Sequence, residues 1–302
     1  MREVKVTVIC LAYNQEKLVR QALEGFVGQQ APWPFEVLVH DDASTDGTAA
    51  VIREYEARYP DIIRGFYAPG NRLSQGIVVS RDILYPYMRG EFVALCEGDD
   101  YWSSPHKLRR QVEALEKHPE ADICAHAARR ERPGGGVIYD APYRHDRVIP
   151  VEEVILGGGG FVATGSLLCR RDAYMLQTPM RRELYNDYAL QIQGSLRGGM
   201  VYLGECMSVY RQGLPGSWTS RHKGAAHSAY RVLIRNMLRA LDSYTEGRYA
   251  DVIERRIRLY DSDDLAVSGK FLKMLAPREL PITALQLERN FRKIWMNLLY
   301  RL

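Results

Sequence analysis

Hydrophobic and polar positions alternate along the N-terminal third of the chain in a way that predicts strands and helices in turn. Apolar residues dominate Lys5–Leu11 and Phe35–His40, which indicates two buried strands. Glu16–Gln29 repeats its apolar residues at helical spacing, and a second helix is expected from Thr48 to Tyr59. We therefore expect the chain to begin with two strand–helix units.

The same alternation continues to about residue 100. Ile62–Tyr67 predicts a short strand, Ile77–Met88 a helix and Glu91–Cys96 a further strand. Strands that alternate with helices predict an α/β fold, with a mostly parallel sheet flanked by helices and joined by right-handed crossovers. Ligand sites in such sheets lie at the carboxyl ends of the strands.

The middle of the chain predicts a surface helix and two loops. After Pro105, apolar residues share one face of a helix, and Lys107 is expected on its solvent face. The basic, glycine-rich segment Arg129–Gly136 and the four glycines of Gly157–Gly160 are interpreted as mobile loops around a site.

From about Ala225 onward the pattern is helical, with a predicted break near Ser262. We therefore predict an α/β domain over residues 1–224 and a C-terminal helical subdomain over residues 225–302. An apolar stripe in the last helix favours docking onto the larger domain, with contact to a membrane surface as the alternative. The stripe consists of Leu287, Phe291, Ile294, Trp295 and Leu298.

Composition excludes some classes of function. The net charge of +4, from 41 basic and 37 acidic residues, is too small to indicate a nucleic acid partner. No apolar run approaches the roughly 20 residues that span a bilayer, and the N-terminus lacks the pattern of a secretory leader. The five cysteines form no C-x-x-C pair and fit a reducing compartment. We therefore expect a cytoplasmic protein, with peripheral contact to the inner face of the membrane as an alternative.

The sequence Glu97-Gly98-Asp99-Asp100, here called the acidic turn, directly follows a predicted strand. Carboxylates crowded at a sheet edge repel one another unless a cation is present, and such oxygen ligands suit Mg²⁺ or Mn²⁺ with a diphosphate. A cap for the helix after Pro105 explains the same residues, so the motif alone leaves both interpretations open. A second acidic motif, Asp261–Asp264, follows a helical segment and is expected to be a cap between two helices.

Polar motifs follow three predicted strands in a fixed order. They are Ala12-Tyr13-Asn14, then Asp41-Asp42-Ala-Ser-Thr-Asp46, then the acidic turn. Over about residues 4–220 this constellation resembles the family 2 glycosyltransferases of the GT-A fold.

The resemblance implies an inverting enzyme that moves a sugar from a nucleotide-diphosphate sugar, a UDP-sugar being the first expectation. The acceptor would be a hydroxyl of a glycan or lipid-linked glycan, and the cofactor Mn²⁺ or Mg²⁺. Since the chain has no Q-x-x-R-W motif, we expect single additions.

The resemblance also implies roles for individual residues. It assigns Asp42 to the edge of the base and Asp100 to the metal, with Asp99 contributing to both nucleotide and metal binding. Taken singly, Tyr13 also fits plain packing and Asp41–Asp46 a plain helix cap. The residues expected to bind the nucleotide are Ala12, Tyr13, Asn14, Asp41, Asp42, Arg81, Glu97 and Asp99.

Three further positions have weaker support. Arg81 suits pairing with the diphosphate, and a solvent-exposed helical arginine is an equal alternative. The segment Glu183-Leu-Tyr-Asn-Asp187 resembles the family's motif for the catalytic base, which implies Asp187 as the base and Glu183 as the reserve, unless Asp187 only caps a helix. Gly213 stands where family members often have a metal-binding histidine, and either His222 or a water molecule is expected to take its place.

Two other functions compete with a transferase. A sugar-nucleotide pyrophosphorylase would require a glycine-rich loop with a basic residue after the first strand, where this chain has AYNQE. A non-catalytic nucleotide-sugar-binding scaffold of the same fold would have lost its acidic groups. Here Glu97, Asp99, Asp100 and Asp187 are all still acidic.

Overall fold

A single sheet contains all the strands of the part of the chain that the structure describes. The computed structural model describes residues 3–214 and 225–267, without the side chains of 225–227 and 261–267. The strands are β1 (Val6–Ala12), β2 (Phe35–Asp41), β3 (Ile63–Tyr67), β4 (Phe92–Leu95), β5 (Tyr101–Trp102), β6 (Ile123–Glu131), β7 (Val137–Asp140), β8 (Arg147–Ile149), β9 (Leu168–Arg170) and β10 (Met200–Arg211).

Helices cover the sheet, and several short turns join them. The helices are α1 (Val19–Val27), α2 (Thr48–Arg58), α3 (Lys107–Lys117), α4 (Val151–Gly157), α5 (Arg171–Met175), α6 (Pro179–Glu183), α7 (Asp187–Ser195), α8 (Ala225–Tyr244) and α9 (Ala250–Val267). Among the described residues, no helix is both long and apolar enough to cross a membrane.

The strands follow the order β3-β2-β1-β4-β9-β6-β10-β5, with β7 paired to β6 and β8 to β10. The first four of these strands are parallel, as predicted, and so are β6 and β10. Strand β9 runs antiparallel between β4 and β6. The predicted α/β fold is therefore present, with antiparallel strands added in its C-terminal half.

The register of the parallel strands brings the predicted motifs together at one edge of the sheet. Ala12, the last residue of β1, pairs with Asp41, the last residue of β2. Asp42 N then donates to Ala12 O at 2.9 Å. On the other side of β1, Gly98 N of the acidic turn donates to Leu11 O, also at 2.9 Å. Asp42 and the acidic turn therefore flank the end of β1.

Apolar side chains cover both faces of the sheet, because successive residues of a strand point to opposite sides of it. Val8 and Cys10 join the core beneath α1, α2 and α3, whereas Ile9 joins the core on the other face. Helices α8 and α9 belong to this second core through Met237, Leu238, Leu241 and Ile253. The division of the chain at residue 224 stays a prediction.

The segment Ile77–Met88 does not form the predicted α-helix. It contains a π-helical turn at Ser80–Leu84, followed by a 3-10 turn at Tyr85–Tyr87. Pro86 lies within the second turn, and a proline removes the backbone donor that a continuous helix needs.

The two predicted loops also have defined structure. Strand β6 extends through Arg129 to Glu131, and the chain turns back into β7, so most of the basic segment belongs to a hairpin. In the glycine run, Gly158 has a φ of +74°, and Arg256 of α9 occupies the space where a side chain would lie. The absence of a side chain at Gly158 therefore permits close packing under α9. Helix α9 continues past the predicted break at Ser262.

The side chain of Lys107 is buried, contrary to the prediction that it faces solvent. Its relative exposure is 0%, because the first turn of α3 faces the sheet. Lys107 Nζ donates to Gln111 Oε1 at 2.8 Å and lies 4.1 Å from the centre of the Trp102 ring. Burial lowers the pKa of Lys107 to about 7.

We expect Lys107→Met to remove a pH dependence from the stability of the protein. The lysine loses its proton near pH 7 when folded but, with an ordinary pKa of 10.5, keeps it well above pH 7 when unfolded. Folding therefore becomes more favourable as the pH rises through this window. Between pH 7 and pH 9, urea titration should show the free energy of unfolding of the wild type rising by about 2 kcal/mol relative to the variant. Lys117→Met, at an exposed position of the same helix, is the control and should follow the wild type. A pH-independent difference between wild type and Lys107→Met would contradict the prediction.

Candidate active site

The acidic turn is held in place by the last residue of β10. Arg211 N donates to Asp100 Oδ1 at 2.8 Å, and Arg211 Nη1 donates to Asp99 O at 2.8 Å. The Arg211 guanidinium also lies 4.6 Å from the centre of the Tyr101 ring. These contacts fix the turn against the sheet.

The carboxylates around the acidic turn are crowded and poorly solvated. Burial, together with the nearby charges of Asp99 and Asp187, raises the pKa of Glu97 to about 8. Burial also raises the pKa of Asp99, and it raises that of Asp100 well above its usual value. Asp187, which lies far away in sequence, is therefore within electrostatic reach of the acidic turn.

The donor atoms of this turn fit a divalent cation that is shared with a substrate. Within residues 3–214 and 225–267, no three His, Cys, Asp or Glu side chains form a metal-binding group. Mg²⁺ usually binds through one or two carboxylates plus phosphate oxygens and water, which requires fewer protein ligands. Asp99 and Asp100 meet that smaller requirement. His222, the other predicted ligand, lies outside the described residues.

Helix capping does not explain the acidic turn. Helix α3 begins at Lys107, and its N-cap residue is His106, well beyond Asp100. The competing motif Asp261–Asp264 lies inside α9, so it does not cap a junction between two helices either. Its side chains are not described.

The loop after β1 is tied to the loop after β2. Asn14 has a left-handed φ of 52°, a conformation that asparagine tolerates better than most residues. Asn14 Oδ1 accepts from Thr45 N at 2.8 Å, and Asn14 N donates to Ser44 Oγ at 2.9 Å. Tyr13 is 41% exposed, so the packing alternative for this residue is wrong.

The two aspartates after β2 have different surroundings. Both oxygens of the Asp42 carboxylate accept backbone hydrogen bonds, from Arg72 N at 2.7 Å and from Leu73 N at 3.1 Å. Asp42 therefore orders the loop after β3. Asp41 Oδ2 accepts from Ser44 N at 3.3 Å, while Asp41 Oδ1 is buried without a hydrogen-bond partner among the described residues. A buried acceptor of this kind is suited to a donor group on a ligand.

Asp187 is the first residue of α7, and Asn186 caps the helix. Asn186 Oδ1 accepts from Ala189 N at 2.8 Å, so the capping alternative for Asp187 is wrong. Asn186 Nδ2 also donates to Tyr230 Oη of α8 at 2.7 Å. Burial raises the pKa of Asp187, and a hydrogen bond of 2.8 Å from Thr164 Oγ1 to Asp187 Oδ2 opposes this rise.

The remaining predicted residues have other partners or are exposed. Arg81 Nε donates to Asp82 Oδ1 at 2.6 Å, and the guanidinium lies 5.6 Å from the centre of the Tyr185 ring. Pairing of Arg81 with a diphosphate stays a prediction. Glu183, the reserve base, is exposed at the end of α6.

Two residues of the site were not identified from sequence. Thr164 belongs to no polar motif, and its partner Asp187 is 23 residues away, so no local pattern indicates the contact. Arg211 lies two residues before Gly213, the position where a histidine was expected, and the pairing of β10 with β6 and β5 brings it to the acidic turn.

Comparison with known proteins decides the family. The family model described as Glycosyl transferase family 2 matches residues 7–174, more than half of the chain. The chain belongs to glycosyl transferase family 2. Uncharacterized proteins of Mycobacterium bovis and Mycobacterium tuberculosis are 35% identical over 233 residues, which cover 74% of this chain and 61% of theirs. This family 2 chain therefore spans less than two thirds of the length of these relatives.

Solved structures confirm the GT-A fold predicted for this family 2 chain. Staphylococcus aureus TarS 1–349 in complex with UDP-GlcNAc has a TM-score of 0.66 and 16% identity, covering 92% of this chain and 78% of that one. The mannosyltransferase PcManGT from Pyrobaculum calidifontis, in complex with GDP-Man and Mn²⁺, has a TM-score of 0.54 and 17% identity, covering 95% and 79%. At these identities the likeness establishes the fold alone.

We expect Asp42→Ala to loosen one loop of the site selectively, because it removes both acceptors of the amides of Arg72 and Leu73. Hydrogen exchange followed by mass spectrometry should show faster exchange in peptides that contain these two amides. Asp46→Ala is the matched control, because Asp46 accepts from Thr48 N at 3.0 Å and from Glu16 N at 3.1 Å. It should accelerate exchange at those two amides instead. Unchanged exchange at residues 72 and 73 in Asp42→Ala would contradict the assigned contacts.

Proposed function

We propose that this chain is a metal-dependent, inverting, non-processive glycosyltransferase that uses a nucleotide-diphosphate sugar, with a UDP-sugar as the first candidate. The observation that carries the proposal is the electrostatic proximity of Asp187 to the acidic turn, which follows β4 and lies beside the end of β1. Nucleotide sugars in TarS and PcManGT, and Mn²⁺ in PcManGT, support the donor class and the metal.

The loops after β1 and β2 are proposed to hold the nucleoside. Tyr13 offers an exposed aromatic face, and Asp41 Oδ1 offers an acceptor that has no partner among the described residues. Asn14 and Asp42 keep the neighbouring loops in position through their backbone contacts. Arg81 would pair with the diphosphate after leaving Asp82, since both are anions that a guanidinium binds through two nitrogens.

The acidic turn is proposed to carry the cation. Asp99 and Asp100 would hold Mg²⁺ or Mn²⁺, which when bound supplies positive charge beside the departing diphosphate. Arg211 keeps both aspartates in place, with a hydrogen bond to the Asp100 carboxylate and another to the Asp99 backbone. The raised pKa values of the carboxylates at this turn support the assignment, because burial disfavours their charged forms and a bound cation would stabilise those forms.

Asp187 is proposed as the general base. Its carboxylate takes the proton from an acceptor hydroxyl while that oxygen forms a bond to the anomeric carbon. The bond from the anomeric carbon to the diphosphate oxygen breaks on the opposite face, and its electron pair leaves with the nucleoside diphosphate. Attack opposite the leaving group inverts the anomeric centre. A carboxylate base suits a hydroxyl acceptor, which we assign to a glycan or lipid-linked glycan.

A cytoplasmic location is part of the proposal. All five cysteines are free thiols, and four of them are buried, which fits a reducing compartment. Peripheral contact with a membrane through the amphipathic stripe between Leu287 and Leu298 also stays a proposal. That stripe lies outside the described residues.

We expect Asp100→Ala to abolish metal-dependent nucleotide binding, because it removes a proposed cation ligand. Isothermal titration calorimetry with UDP and with GDP, each with and without Mn²⁺, measures the effect. Asp146→Ala is the control, since this carboxylate is exposed and pairs with Arg110 away from the acidic turn. Wild-type binding that is insensitive to Mn²⁺ would refute the metal assignment, and no nucleotide binding at all would refute the transferase proposal.

We expect Asp187→Asn to keep nucleotide binding but to lower turnover by about 100-fold or more, because the amide cannot accept the acceptor's proton. The assay is hydrolysis of a panel of nucleotide sugars, beginning with UDP-GlcNAc and GDP-mannose. Glu183→Gln should retain turnover, since Glu183 is exposed at the end of α6. Full turnover by Asp187→Asn, or loss of turnover only in Glu183→Gln, would show that Asp187 is not the base.

A further inference from the structure

A short 3-10 turn at Thr164–Ser166 lies between the acidic turn and Asp187. Its Gly165 carbonyl accepts from Trp102 Nε1 at 3.1 Å, and Trp102 follows Asp100 by two residues. Its Thr164 hydroxyl donates to Asp187 Oδ2 at 2.8 Å. This turn therefore contacts Asp187 directly and also contacts β5, the strand that follows the acidic turn.

A hydrogen bond from α3 holds this turn in place. Gln111 Nε2 donates to Ser166 O at 2.8 Å and to Cys124 O at 3.2 Å. Lys107 Nζ donates to Gln111 Oε1 at 2.8 Å, which fixes the amide so that its nitrogen faces the turn. Because Lys107, Gln111 and Ser166 are fully buried, this arrangement has little freedom to move. The position of the Thr164 hydroxyl is thus set by α3, β5 and β6 together.

Helix α7 does not need Thr164 in order to form. Asn186 caps the helix, and the buried Tyr188 and Ile192 pack its apolar side into the core. The Thr164 hydroxyl contacts the Asp187 carboxylate alone among the hydrogen bonds that the structure records for it. Its effect is therefore confined to the direction in which that carboxylate points.

We propose that Thr164 is the positioning residue for Asp187, holding one carboxylate oxygen so that the other faces the acceptor hydroxyl. The inference rests on the proposed role of Asp187 as the base. It adds that the distance between base and acidic turn is set by the turn at Thr164–Ser166. A hydrogen bond to the charged form of a carboxylate also lowers its pKa, so the Thr164 hydroxyl opposes the rise that burial causes in the pKa of Asp187.

The first test follows Asp187 directly and needs neither donor nor acceptor. Aspartate labelled with ¹³C at Cγ gives a carboxyl titration by NMR, and Asp187→Asn identifies the Asp187 signal by its absence. In Thr164→Val, which keeps the shape but loses the hydroxyl, we expect the Asp187 midpoint to move to higher pH. Thr164→Ser should titrate like the wild type. An unmoved midpoint in Thr164→Val would overturn the inference, and Thr164→Ala provides the same test if the valine variant does not fold.

The second test measures turnover, because a small misorientation of a catalytic group has a large kinetic effect. Thr164→Val should lower kcat for hydrolysis of UDP-GlcNAc or GDP-mannose by about 10- to 100-fold, with little change in the KM of the donor. The acid limb of its pH profile should move to higher pH, and Thr164→Ser should restore both. A loss of donor affinity with unchanged kcat would contradict a positioning role.

A matched control separates positioning from simple structural support. Thr178 Oγ1 donates to Gln193 Oε1 at 2.6 Å at a buried site, so Thr178→Val also removes a threonine hydroxyl from a side-chain partner. It should lower the unfolding temperature without moving the Asp187 titration. Failure of the base assignment would appear as active Asp187→Asn, whereas failure of this inference alone would appear as inactive Asp187→Asn with normal Thr164→Val.

Discussion

The burial of several closely placed carboxylates is the constraint on which the rest of the site depends. Burial raises the pKa of Glu97, Asp99, Asp100 and Asp187, and neighbouring carboxylates add to this rise at Glu97 and Asp100. Such a group costs stability unless the surrounding chain fixes it and a ligand neutralises it. The arrangement therefore costs the fold some stability, which a bound cation of the proposed kind would offset.

The chain fixes these charges with contacts that come from distant parts of the fold. Arg211 at the end of β10 holds the backbone and carboxylate of the acidic turn. Trp102 and Gln111 hold the turn that presents the hydroxyl of Thr164 to Asp187. The acidic turn and Asp187 therefore depend on shared support, since a displacement of β5 or α3 would move both. The geometry of the site therefore depends on contacts from several strands and helices that are far apart in the sequence.

Local signals were enough to predict the strand ends, because each apolar run and its following acidic residues are contiguous in sequence. Asp41, Asp42 and the acidic turn could be placed at one edge for this reason. The burial of Lys107 could not be predicted in this way, since the rule that charged residues face solvent fails where an amide and an aromatic ring surround the amine. The contact of Thr164 with Asp187 could not be predicted from the sequence, because it depends on the tertiary arrangement of two segments. Pro86 is the one local feature that could have shortened the predicted helix at Ile77–Met88.

The hydrogen bond from Asn186 to Tyr230 has a consequence for any attempt to shorten the protein. Asn186 caps the helix that begins with Asp187, and its amide is satisfied from α8. A fragment that stopped before α8 would expose that amide to solvent. It would also expose the apolar side chains of α7, such as Tyr188 and Ile192, that share a core with Met237. Such a fragment is therefore expected to be less stable, because α7 shares its apolar core with α8 and α9.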